Sequence, residues 1–138
     1  MRFKTFTLLV LLAMLMGLTA CGQWTFFRGD CGPGTKPEGT LSVSELSENP
    51  VYDVEVKIYG QVSLLGELFC PCFELTSGGE TVQVWYGLMI EDDGTDRPAV
   101  SVEDIRNGDQ VIVTGELKTE GVHTSLNDFW ATKIEEAE

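Results

Sequence analysis

Hydrophobic and polar residues alternate between Asp53 and Leu64. Alternation with a period of two predicts a strand that buries one face, because successive side chains of a strand point to opposite sides. Gly60 lies inside this run and marks a position where a barrel strand bends sharply. The predicted buried face contains Val54, Val56, Ile58, Val62 and Leu64, and the predicted outer face contains Glu55, Lys57, Tyr59, Gln61 and Ser63.

Four more segments have the pattern of short strands separated by turns. The sequence Ser77-Gly78-Gly79-Glu80 predicts a hairpin between two of them. Asn107-Gly108-Asp109 predicts a second turn, before the fourth strand. The four predicted strands are 73–76, 81–86, 110–117 and 129–134, and short helical segments are predicted at 42–46 and 102–106.

The order of these segments resembles that of small oligonucleotide/oligosaccharide-binding (OB) domains, including tRNA-anticodon-binding-like and bacterial OB-fold domains. The resemblance covers about Val43 to Glu136. It rests on the long bent first strand and on the stretches Phe-Glu-Leu-Thr-Ser-Gly-Gly, Asn-Gly-Asp-Gln-Val-Ile-Val-Thr-Gly-Glu-Leu and Phe-Trp-Ala-Thr-Lys-Ile-Glu. It implies an all-β fold, a five-stranded OB-type barrel with one or two short helices. A β-sandwich or another small barrel is the structural alternative.

The N-terminal segment has the features of a secretory leader. Arg2 and Lys4 precede an apolar run from Phe6 to Leu18, which is too short to span a membrane as a helix. Leu18-Thr19-Ala20-Cys21 resembles the lipobox of bacterial lipoproteins. The resemblance implies cleavage before Cys21, a diacylglycerol on its sulfur, and an extracytoplasmic protein anchored to the cell membrane or the outer membrane.

We therefore expect a signal peptide at 1–20, a lipidated flexible tether at 21–40 and an OB-fold domain at 41–138. Glycine and proline in the tether favour an irregular chain. Its aromatic residues lie either at the membrane interface or on the domain, and the sequence leaves both possibilities open. They are Trp24, Phe26 and Phe27.

The charge of the chain argues against a nucleic-acid partner. Removal of Arg2 and Lys4 with the leader leaves 7 basic and 22 acidic side chains, a net charge of about −15. Such a surface repels phosphate backbones, and the sequence contains no basic cluster. The segment from Glu91 to Asp96 is rich in carboxylates and predicts a solvated loop. The spacing of these carboxylates does not match that of a calcium-binding EF-hand loop. The acidic residues of the segment are Glu91, Asp92, Asp93 and Asp96.

The cysteines leave three alternatives open. With Cys21 lipidated, the remaining thiols are Cys31, Cys70 and Cys72. A structural bridge from Cys31 to Cys70 or Cys72 would close a loop of about 40 residues and contribute roughly 4 kcal/mol. A Cys70–Cys72 disulfide would close a small ring of the kind that is easily reduced. Three thiolates would also suit a soft metal ion such as copper(I) or zinc.

Two aromatic residues on outer faces are candidates for ligand binding. Tyr59 and Trp85 both lie on the polar faces of their strands, and OB domains commonly stack ligands on aromatic side chains of the outer face of their second and third strands. We predict no enzyme and no cofactor, because the chain has one histidine, His123, and lacks a nucleophile-elbow or phosphate-loop pattern.

The sequence therefore favours a non-enzymatic binding or interaction module of the cell envelope. The ligand would be a protein, a glycan or another small molecule. The alternative is a redox or soft-metal protein that uses Cys70-Pro71-Cys72. A purely structural lipoprotein, which spaces other components from the bilayer, is a third possibility. The haem chaperones of cytochrome c maturation are similar in the hairpin and the fourth strand, but the chain lacks their C-terminal histidine and tyrosine.

Overall fold

The computed structural model describes residues 36–125 and 127–137, which form a mostly β domain with one short helix. The predicted leader, the lipidation site Cys21, most of the tether and Cys31 lie outside the described residues. The elements are β1 (Leu41–Ser42), α1 (Val43–Glu48), β2 (Glu55–Ser63), β3 (Cys72–Ser77), β4 (Glu80–Trp85), β5 (Met89–Ile90), β6 (Asp96–Arg97), β7 (Gln110–Lys118) and β8 (Asp128–Glu136).

The long strand β2 has a different partner at each end. It pairs antiparallel with β7 from Glu55 to Gln61 and antiparallel with β3 from Gln61 to Ser63. Gly60 precedes the change of partner, and a Cβ atom there would lie 2.6 Å from the carbonyl oxygen of Thr76. A glycine at this position therefore lets β3 approach β2 closely.

The remaining pairings complete a continuous order of five strands, β2-β3-β4-β8-β7, with β7 paired again to β2. β3 and β4 are antiparallel, as are β7 and β8, whereas β4 and β8 are parallel. Gly78 and Gly79 connect β3 to β4 with positive φ angles of 65° and 86°, which explains the two glycines of the predicted hairpin. All five segments that the sequence predicts as strands are strands.

The core lies between the inward faces of these strands and α1. The apolar alternation of β2 holds for Ile58 and Val62, which are buried, but Val54 precedes the strand and is exposed. The prediction for Val54 was wrong because β2 begins only at Glu55. The largest fully buried side chains include Phe73, Phe129, Leu46, Ile58, Leu75, Val84, Val111 and Val113.

The helix α1 begins as the sequence predicts. The Ser42 side chain accepts a hydrogen bond from the Glu45 backbone N–H, and the Glu45 carboxylate accepts one from the Ser42 N–H, which makes a capping box. Hydrogen bonds from Lys36 and Ser42 lower the pKa of Glu45 to about 2. No helix in the described parts of the chain is long and apolar enough to cross a membrane.

Two segments differ from the predictions. Residues 102–106 form a turn, with a hydrogen bond from the Ile105 N–H to the Val102 carbonyl, and not a helix. The end of the predicted tether belongs to the folded domain, because Lys36 pairs with Glu45 and Thr40 is buried.

Candidate functional site

A row of side chains crosses the outer face of the sheet. In register, Cys72 of β3 lies beside Trp85 of β4, Trp85 beside Trp130 of β8, and Trp130 beside Glu116 of β7. Their neighbours Phe73, Val84 and Phe129 point into the core, so the row points outwards. We call Cys70, Cys72, Gln83, Trp85 and Trp130 the tryptophan face, in which Cys72 and Trp130 are buried, at 0% and 2% exposure.

The two predicted ligand-binding aromatics do not form one platform. Both lie on outer faces and are half-buried. Gln61 of β2 is in line with Thr76 of β3 and Thr81 of β4. Tyr59 lies two residues before Gln61 and Trp85 lies four residues after Thr81, an offset of six residues. At about 3.3 Å per residue this separates Tyr59 from the row of Trp85 by about 20 Å along the strand. The structure therefore brings Trp130, and not Tyr59, next to Trp85.

The structure joins Cys70 to Cys72 by a disulfide, with Cα atoms 5.2 Å apart. Of the three arrangements open to the cysteines, only this one has both partners among the described residues. The chain-entropy model gives a three-residue ring about 1.5 kcal/mol, well below the value for a bridge from Cys31. Among residues 36–125 and 127–137, no group of three His, Cys, Asp or Glu side chains is placed to hold a metal ion.

The Gln83 amide contacts the disulfide, and the neighbouring Trp85 has a buried polar atom. The Gln83 side-chain amide donates to Cys72 Sγ at 3.3 Å and to Cys70 Sγ at 3.7 Å. The indole Nε1 of Trp85 is buried and has no hydrogen-bond partner in the described part of the protein. Buried N–H groups are normally paired, so this indole N–H is an exception on this face of the sheet.

An ionic layer covers the neighbouring Trp130. Lys118 Nζ lies 5.1 Å from the Trp130 ring centroid and Arg97 Cζ lies 5.8 Å from it, distances at which a cation is attracted to an aromatic ring. Lys118 also contacts Asp53, Glu91 and Glu116 at 3.0 to 3.1 Å. Arg97 contacts Glu116 at 3.3 Å and pairs with Glu91.

Burial and ion pairing shift the pKa values of Lys118 and Glu116 in opposite directions, and the effect of ion pairing is larger. Burial alone would lower the pKa of Lys118, but its hydrogen bonds to Glu116, Asp53 and Glu91 raise that pKa to about 12. Burial would raise the pKa of Glu116, but Lys118 and Arg97 lower it. Both shifts favour the charged forms of Lys118 and Glu116 at neutral pH, next to the Trp130 ring.

The acidic segment contributes to this layer, which the sequence did not predict. Glu91 and Arg97 come together because β5 and β6 form a small hairpin around the predicted loop. Asp92, Asp93 and Asp96 are exposed, as expected of a solvated loop, but Glu91 is half-buried. His123 is exposed in a bend, with no link to the tryptophan face.

Comparison with protein-family models finds no match, and comparison with curated protein sequences finds no significant similarity. The function is therefore inferred from the residues and their geometry.

Replacing Lys118, which is 8% exposed, by methionine should destabilise the protein by about 2–3 kcal/mol, because Glu91 and Glu116 lose a buried counter-charge. Chemical denaturation at pH 7 measures the effect. The control is Lys133→Met, which removes an exposed pair with Glu135 and should cost less than about 0.5 kcal/mol.

The pH dependence gives a second readout for the same variants. Since the folded pKa of Lys118 is raised from 10.5 to about 12, its contribution is complete below pH 10.5 and is lost as the pH rises through about 12. Equal losses for the two variants at pH 7 would contradict a stabilising ionic layer.

Proposed function

We propose that the chain is a membrane-anchored extracytoplasmic lipoprotein whose OB-type barrel is a non-enzymatic binding module. The strand order supports a barrel, because β2 pairs with both β3 and β7. A sheet that returns to its first strand has the pairing of a closed barrel. The parallel contact of β4 with β8 agrees with a Greek-key connection of five strands.

The anchor rests on the sequence alone. The charged start, the apolar run and Leu18-Thr19-Ala20-Cys21 support cleavage and lipidation at Cys21. Two or more acyl chains hold a protein stably at a membrane. The folded domain would then lie at the membrane surface outside the cytoplasm.

The ligand surface that we propose is the tryptophan face. In OB domains the outer face of the second and third strands, here β3 and β4, binds ligands. Trp85 is partly exposed on this face and has a buried indole N–H without a partner among the described residues. With a net charge of −13 over the whole sequence, the protein favours a neutral or cationic ligand such as a glycan or a peptide over a nucleic acid.

Trp85→Ala should weaken ligand binding by about 5- to 150-fold, because loss of one stacking ring typically costs about 1–3 kcal/mol. Isothermal titration with a panel of neutral oligosaccharides and a panel of short cationic peptides measures this effect. Tyr59→Ala is the matched control, since Tyr59 is also an outward, half-buried aromatic but lies about 20 Å along the sheet. Unchanged affinity in Trp85→Ala, or binding of neither panel, would contradict the proposed surface.

Cys21→Ala should release the protein from the membrane fraction, because the thioether to lipid can no longer form. Fractionation of cells and the intact mass of the extracted protein measure this effect. The control is Cys31→Ala, which should remain in the membrane fraction with the added mass of lipid. A Cys21→Ala protein that remains membrane-bound and lipidated would contradict the assignment of the anchor.

A further inference from the structure

We propose that Cys70 and Cys72 form a thiol–disulfide exchange site, in which a reductant attacks the sulfur of Cys70 and the sulfur of Cys72 leaves. The inference rests on the exposure and contacts of the two cysteines. It holds whether or not the tryptophan face binds a glycan or a peptide.

The two sulfurs differ in access. Cys72 begins β3 and is fully buried, whereas Cys70 is half-buried in the connection between β2 and β3. Pro71 and Phe69 on either side of Cys70 are exposed. A thiolate must approach the attacked sulfur in line with the S–S bond, so we expect attack on the more accessible Cys70 and not on the buried Cys72.

The leaving sulfur has a hydrogen-bond donor. The Gln83 amide lies closer to Cys72 Sγ, at 3.3 Å, than to Cys70 Sγ, at 3.7 Å. Burial disfavours a thiolate at Cys72, and a donor aimed at that sulfur offsets part of the cost as negative charge develops. Gln83 is therefore a positioning residue that favours opening of the disulfide at Cys70.

The chain around the cysteines is held by other contacts. The Tyr86 N–H donates to the Pro71 carbonyl at 2.9 Å, and Cys72 pairs with Trp85 in the β3–β4 ladder. The Pro71 ring occupies the space where a Cβ atom of residue 87 would lie, so Gly87 permits this approach. Reduction would leave these contacts intact, which keeps the two thiols close enough to close the bond again.

The exchange is balanced with a dithiol as the reductant. Its first thiolate bonds to Cys70 Sγ, the Cys70–Cys72 bond breaks, and Cys72 leaves with the electron pair. The second thiolate of the reductant then attacks the sulfur bonded to Cys70 and releases the Cys70 thiolate. The protein gains two electrons and two protons, and the dithiol becomes a disulfide.

Peptide mapping of the full chain, extracted from membranes and alkylated without reduction, tests the pairing first. Trypsin is expected to cleave after Lys57 and Arg106, which leaves Cys70 and Cys72 in peptide 58–106 and Cys31 in another peptide. We expect peptide 58–106 to be lighter by two hydrogen atoms and to contain no alkyl group. After native treatment with dithiothreitol, it should carry two. A link between Cys31 and either cysteine, or reduction only after unfolding, would overturn the proposal.

Two matched variants test which sulfur is attacked. In full chains that also carry Cys31→Ala, the single thiol of Cys72→Ala should form a mixed disulfide with oxidised glutathione at least about tenfold faster than that of Cys70→Ala. The half-buried thiol of Cys70 is more accessible to glutathione than the fully buried thiol of Cys72. Thermal melting confirms that both variants are folded. Equal rates, or faster reaction of Cys70→Ala, would overturn the assignment of the two sulfurs.

Gln83→Met tests the donor because it keeps the length of the side chain and removes the amide. Reduction of the native full chain by dithiothreitol should slow by about five- to tenfold, as expected for loss of a hydrogen bond to a developing charge. Gln61→Met is the control, since Gln61 is also outward but donates to the Gly108 carbonyl. Its rate should stay within about twofold of the unmodified chain, and equal slowing in both variants would overturn the role of Gln83.

Discussion

β2 pairs with both β3 and β7, and this double pairing determines how the other strands are arranged. A nine-residue strand that pairs with β7 at one end and β3 at the other must bend, and Gly60 lies where β3 comes too close for a side chain. Gly115 serves the same purpose on β7, where a Cβ atom would meet the backbone of Trp130. Once both ends of β2 are paired, the order of the other strands brings β4 and β8 together in parallel, and this contact places Trp85 beside Trp130.

The periodicity of the sequence accounts for which residues form strands and for most of the core, because a strand with one buried face must alternate. It also indicates that Tyr59 and Trp85 point outwards. It does not indicate where each residue lies along the sheet, since that depends on the register between strands distant in sequence. Trp130 could have been recognised as outward, because it stands between the inward residues Phe129 and Ala131. The β5–β6 hairpin could not, because strands of two residues have no periodicity.

The outer face combines a tryptophan covered by ion pairs and a tryptophan next to the disulfide. Trp130 is held by two cations, whose charges are balanced by the carboxylates of Glu91 and Glu116 and the more exposed Asp53. Beside it, Trp85 contributes an aromatic ring, and Gln83 contacts the sulfurs of Cys70 and Cys72. Cys70 is partly accessible to solvent, so ligand binding and thiol–disulfide exchange would use adjacent parts of one surface.

The pairing of β4 with both β3 and β8 places Trp85 between Cys72 and Trp130. Nuclear Overhauser effects in the isotopically labelled full chain, dissolved in detergent micelles, test this arrangement most directly. We expect backbone Overhauser effects from Trp85 to Cys72 on one side and to Trp130 on the other, and between Val84 and Phe129. Contacts from Trp85 to Cys72 without any between residues 83–85 and 128–130 would contradict closure of the sheet and the surface derived from it.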